Sequence, residues 1–222
     1  MNVFNDRRDA GRQLAKAVAG LRLADPTVIA LPRGGVPVAA EVARALHAPL
    51  DVIIVRKIGA PGQPELAIAA VAEGRPPTVL ADPRACSFAG VDEAYIEARA
   101  REERPELERR CSVYRRDRPP TPIAGKDVVL VDDGIATGMT VRAALQLIRA
   151  MKPARLVLAV PVSAEDTLAE LRPLVDDLVC LLTPAFFGSV GTYYHDFDQV
   201  GDDEVVQTLE EAREQHASQA RG

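Results

Sequence analysis

Five short apolar runs constrain the fold of this chain more than any other feature. They lie at 28–31, 52–55, 128–131, 156–160 and 178–182, are rich in β-branched residues, and are apolar on both faces. A strand that hides both faces belongs inside a parallel sheet covered by helices, whereas a half-exposed antiparallel strand alternates apolar with polar. Helical patterns fall between the runs, at 7–20, 36–46, 139–151 and 165–173. The repeated order β-α-β predicts an α/β fold with a doubly wound parallel sheet in three layers. Aromatics make up only 4% of the chain and Trp is absent, so the core must be aliphatic.

Two segments break the alternation. Residues 59–81 open with Gly59, Pro61, Gly62 and Pro64, which predicts a loop over 59–65 followed by an antiparallel strand pair. Residues 92–118 read as one long helix. It carries eight acidic and eight basic residues, a balance at i, i+4 spacing that marks a solvated helix face, with one or two arginines free to reach a phosphate. Pro119, Pro120 and Pro122 end it. The 222 residues fit one domain over 1–215, with an insert or hood at about 59–122 and a tail at 216–222.

The formal net charge of −5 argues against a nucleic-acid or membrane partner, since polyanionic surfaces demand a basic face. No run approaches the ~18 apolar residues of a bilayer span, and the N-terminus lacks the apolar core of a secretion signal. Cys86, Cys111 and Cys180 are odd in number and widely spaced, as expected of reduced thiols in a cytoplasmic protein. No His/Cys cluster has zinc-ligand spacing.

The chemistry concentrates at 128–140. An apolar strand ends in two adjacent carboxylates, Asp132 and Asp133; then Gly134, Ile135, Ala136, Thr137 and Gly138 turn into a helix that begins near Thr140. Ligands of open α/β sheets bind at this edge, and a helix N-terminus offers free N–H groups and positive partial charge to a phosphate. Thr137 and Thr140 add hydroxyl donors, and the glycines let the backbone curl round an anion. A phosphate would repel the acidic pair. The pair instead suits ribose hydroxyls, directly or through Mg²⁺. An ordinary capped turn explains one carboxylate or one threonine, not the whole set.

This stretch resembles the signature of type I phosphoribosyltransferases, which use 5-phosphoribosyl-1-pyrophosphate (PRPP). Three further segments resemble stand-alone bacterial members of that family with unassigned acceptors: residues 6–12, 64–68 and 194–200. The resemblance implies a Mg²⁺-dependent transfer of the phosphoribosyl group to a nitrogenous, nucleobase-like small molecule, and a homodimer. It implies that Arg33, Gly34 and Gly35 hold the pyrophosphate, that Arg56 and Lys57 contact the donor's phosphates, and that 59–65 is a mobile loop closing over the site. Residues 184–205 become the acceptor side, with Phe186, Phe187 or Tyr193 stacking on the acceptor and His195 or Asp196 assisting its deprotonation. Ala69 departs from the family, which has Gly there, and is expected to tighten the loop's base. The other reading of the same signature is a PRPP-sensing regulatory or binding protein.

Overall fold

A computed structural model describes residues 4–74, 76–116 and 118–219, with Glu65 described by its backbone alone. Helix α1 (Arg7–Ala19) leads to β1 (Pro26–Ala30), α2 (Gly35–Leu46) and β2 (Leu50–Val52). The chain then leaves the main body for β3 (Val55–Ala60), β4 (Gln63–Ala72), β5 (Thr78–Ala81), α3 (Pro83–Ala89) and α4 (Glu93–Arg115). It returns through β6 (Asp127–Val131), α5 (Met139–Ala150), β7 (Arg155–Val162), α6 (Glu165–Leu171) and β8 (Asp177–Leu182), and α7 (Asp202–Gln219) follows.

The main sheet is parallel throughout, in the order β2-β1-β6-β7-β8. Alternate residues of each strand feed opposite cores, which is why the runs had to be apolar on both faces. Val28, Ala30, Val129 and Val131 pack with Leu14 and Val18 of α1, Val38 and Val42 of α2, and Leu209 of α7. Ile29, Leu130 and Leu158 pack on the other face against Leu145 and Ile148 of α5 and Leu171 of α6. The three-layer, doubly wound expectation holds. Strand order reverses between β1 and β6, whose following helices cover opposite faces, and in open α/β sheets the ligand crevice lies at the C-terminal edge of such a reversal.

The hood differs from expectation in three ways. The run at 52–55 is not one strand. Ile53 still donates to Ala30 O (3.0 Å), but the Ile54 N–H turns to the Glu73 carboxylate (3.0 Å), and Val55 begins a different sheet. Both sides of this bend are buried, so hydropathy runs straight through it. Arg56 and Lys57 therefore open a hood strand and do not end a parallel one. Next, the expected loop at 59–65 is a β-hairpin turning at Pro61 and Gly62, and the expected strand pair is the three-stranded antiparallel sheet β3-β4-β5. Finally, Ala69 pairs with both Ile58 and Ala81 and is fully buried at the centre of that sheet, not at the base of a loop. The long charged helix exists, with Asp92 as its N-cap accepting from Tyr95 N–H (2.9 Å), and it ends at Arg115. The segment expected to be a tail from 216 continues α7 to Gln219; residues 220–222 lie outside the described residues.

Candidate active site

The helix ends identify the site. Asp6, Asp82 and Asp92 cap α1, α3 and α4 with their side chains. The N-termini of α2 and α5 have glycine caps, Gly34 and Gly138, with no side-chain bond and no acidic residue in the first turn. Helix α6 also lacks a side-chain cap, but Glu165 and Asp166 occupy its first turn. Helices α2 and α5 thus keep unsatisfied donors and positive partial charge, and both start at the crevice. Among the described residues, no amide from Ala136 to Thr140 donates a hydrogen bond, nor do those of Arg33 and Gly34. The Thr137 and Thr140 hydroxyls are likewise unpartnered there. Gly138 adopts φ 73°, and Ile135 anchors the loop through its N–H to Val162 O (2.9 Å). The peptide between Pro32 and Arg33 is cis.

The acidic pair lies between these helix ends. A β-carbon on Gly34 would fall 2.0 Å from Asp133 Oδ2, and one on Gly35 would fall 3.0 Å from Asp132 Cα. The two loops therefore touch, and glycine is what allows it. Asp133 Oδ2 accepts from Arg7 Nε (2.8 Å), and Asp132 Oδ1 accepts from Asp133 N–H (2.9 Å). Burial, and then the charge of Asp133, push Asp132 well above the usual carboxylate range. Burial raises Asp133 too, against the pull of Arg7. Among the described residues no three His, Cys, Asp or Glu side chains gather as a metal cage. Two hard carboxylates fit a Mg²⁺ ion that brings the rest of its coordination on a phosphate ligand.

The structure distributes the expected phosphate-binding side chains unevenly. Arg33 stands at the α2 loop, its Nη1 3.7 Å from Asp202 Oδ1. Asp202 also accepts from the Tyr114 hydroxyl (2.6 Å) and from Arg109 (3.0 Å). Arg56 points away to Glu103 of α4 (2.8 Å). Lys57 is exposed, without an ion pair among the described residues. It stands opposite Ala70, which packs on Met139 and Ala143 of α5, so Lys57 lies on the hood face toward that helix's first turns.

In the segment expected to face the acceptor, a β-carbon on Gly134 would meet Val190 Cγ1 at 2.5 Å, so the turn at Val190–Tyr193 lies directly on the 134–140 loop. Phe186 is 94% exposed. Phe187 stacks on Tyr193 (5.7 Å between centroids), which is 4% exposed and donates its hydroxyl to Phe186 O (3.2 Å). Tyr193 is thus a core residue and offers no open face for stacking. His195 and Asp196 have exposed side chains, and their N–H groups pin the N-terminal segment at Phe4 O and Asn5 O (2.9 Å each).

Sequence reasoning missed Arg7 and Tyr194. Besides Asp133, Arg7 reaches Asp198 O (2.8 Å) and lies 3.8 Å over the Phe197 ring, while the Tyr194 hydroxyl donates to Asp133 O. One signal was present: an arginine in a helix's first turn opposes the macrodipole by about 0.3–1 kcal/mol, so Arg7 needs another reason to be there.

The phosphoribosyl transferase domain model matches residues 5–198. The chain belongs to the phosphoribosyl transferase family. Two Mycobacterium tuberculosis proteins, of strains CDC 1551 / Oshkosh and H37Rv and provisionally named phosphoribosyl transferases, are each 46% identical over 217 residues, 98% of this chain and 48% of theirs. The chain thus spans about half the length of the curated relatives it matches. The crystal structure of a protein from Thermus thermophilus is similar at 46% identity and a TM-score of 0.81, covering 94% of this chain and 98% of that one. The Thermus thermophilus protein therefore shares this chain's fold.

Proposed function

We propose that the chain transfers the 5-phosphoribosyl group of PRPP to a nitrogenous, nucleobase-like acceptor and releases pyrophosphate. One observation carries this reading: an α2 N-terminus without a side-chain cap touches the pair of carboxylates, and the loop that follows the pair opens a second such N-terminus, that of α5. Anion sites on either side of a hydroxyl-binding pair match a ligand with a phosphate at one end, a diphosphate at the other and a ribose between.

In this reading the free amides of 136–140, with Thr137 and Thr140, hold the 5′-phosphate and orient the ring. Asp132 and Asp133 accept from the ribose hydroxyls, directly or across Mg²⁺. The Arg33 and Gly34 amides, the Arg33 guanidinium and Lys57 hold the pyrophosphate as the bond from C1 to its oxygen breaks and the electron pair leaves with it. The acceptor nitrogen then bonds to C1 and loses its proton to the departing pyrophosphate or to water. Bound Mg²⁺ would supply charge neutralisation on the diphosphate. Among the described residues of 184–205, Phe186 is the most open aromatic and is assigned to the acceptor. No covalent enzyme nucleophile is needed.

The test is calorimetric titration of PRPP with and without Mg²⁺, on wild type and on the double variant Asp132→Asn/Asp133→Asn. Mg²⁺-dependent binding lost in the variant is expected; a folded wild type that ignores PRPP would refute the proposal. Binding without pyrophosphate release from any acceptor would instead identify a PRPP-sensing protein. The same reading makes the protein cytoplasmic and homodimeric, the latter open to sedimentation analysis. In support, the three cysteines are unpaired, and no helix among the described residues is long and apolar enough to cross a membrane.

A further inference from the structure

The N-terminal segment enters the site from the side. Phe4 N–H donates to Tyr193 O (2.8 Å), and His195 and Asp196 donate back to Phe4 and Asn5. This pairing fixes the start of α1 and with it Arg7, whose side chain is 12% exposed. Three separate contacts hold the guanidinium: Asp133 Oδ2, Asp198 O and the Phe197 ring. Tyr194 holds the backbone of the same aspartate. The start of α1 and the segment 194–198 thus converge on one residue, Asp133.

We propose that Arg7 is a positioning residue of the ribose site, and that it reserves the acidic pair for a sugar ligand over a bare cation; this rests on the PRPP reading above. Two adjacent uncompensated carboxylates would take up a divalent ion with no sugar present. Arg7 occupies one oxygen of Asp133 and cancels one of the two charges, so a free cation finds a weaker site. It leaves the other Asp133 oxygen without a partner among the described residues, on a carboxylate aimed by a contact that is already made before the ligand arrives.

The experiment uses the full chain with Arg7→Met and Arg7→Lys. Mn²⁺ alone is followed by water proton relaxation, and PRPP with Mg²⁺ by calorimetry. Inorganic pyrophosphate with Mg²⁺ reports on the contacts assigned to the pyrophosphate, those of the α2 loop and Lys57. In Arg7→Met, Mn²⁺ is expected to bind about threefold tighter, PRPP about tenfold weaker, and pyrophosphate unchanged. Arg7→Lys, which keeps the charge, recovers most of the PRPP affinity. A merely structural role would weaken all three ligands together, and that outcome overturns the proposal. So does unchanged PRPP binding in a folded Arg7→Met while wild type binds PRPP. A wild type that binds pyrophosphate but never PRPP refutes the donor reading and this role together. Should Arg7→Met not fold, Arg7→Gln is read the same way.

Discussion

At the scale of single residues, the acidic pair sets function against stability. The Asp132 carboxyl is raised in the folded state, so folding is penalised once pH passes the unfolded value of 3.8, and the penalty is complete above the folded value. Asp132→Asn removes that charge while keeping an acceptor for the Asp133 N–H. It is therefore expected to melt no lower than wild type at pH 7, and higher if the penalty dominates, while PRPP affinity falls about 10-fold or more; thermal melts and calorimetry on one preparation check both. Gly34→Ala tests close approach. The residue sits at φ −60°, ψ −32°, comfortable for alanine, so only the contact with Asp133 forbids a methyl group. Loss of PRPP binding and a destabilisation of about 1–3 kcal/mol are expected from urea unfolding. The glycines, threonines and carboxylates of this site were legible because their residue types are chemically odd at a strand-to-helix turn. Arg7 was not, because its partner lies 126 positions along the chain.

At the scale of elements, α4 ties the hood to the main sheet through buried charge. Arg115 is 5% exposed and pairs with Asp51 of β2 (3.1 Å) and with Glu73 at the end of β4. The surface helix expected from its balanced charges thus has one buried arginine that anchors structure, not a phosphate. Arg115→Ala leaves two carboxylates without their partner and should cost about 3–5 kcal/mol, read as a lower urea midpoint. Burial, reinforced by Glu73, pushes the Cys111 thiol up to about 12. Native protein at pH 8 should therefore resist alkylation at Cys111 and become reactive once unfolded, as peptide mass mapping would show. The parallel strands were legible because their two-faced burial leaves a clear pattern. The hood was half legible, because Ile53 and Ile54 are apolar on both sides of the bend between two sheets. Helix α7 was missed because only Val205, Thr208 and Leu209 of its 18 residues are buried, too few for a readable stripe.

At the scale of the whole molecule, acid should loosen the join between α4 and α7. Hydrogen bonding to Arg109, with Arg110 behind it, holds Glu106 down at about 2. The Tyr114 hydroxyl, then Arg109, lowers Asp202 at the start of α7. Depressed carboxyls stabilise the fold above their ordinary values of 4.5 and 3.8 and lose that contribution as pH falls through the folded values. Glu106→Gln should therefore cost its small, solvent-screened contribution at pH 7 and lose less stability than wild type between pH 5 and pH 2; urea unfolding followed by circular dichroism at pH 7, 5 and 2 measures it. Equal losses in wild type and variant would mean the pair is idle.

The missing side chain of Gly134 has one more consequence. Val190 fills the space where its β-carbon would be, so the surface and the loop that the proposed reaction assigns to acceptor and donor phosphate are back to back. Neither can be redrawn alone. Directed evolution toward a new acceptor through Val190 will produce epistasis with donor affinity, and the fruitful libraries will vary positions 134 and 190 as a pair.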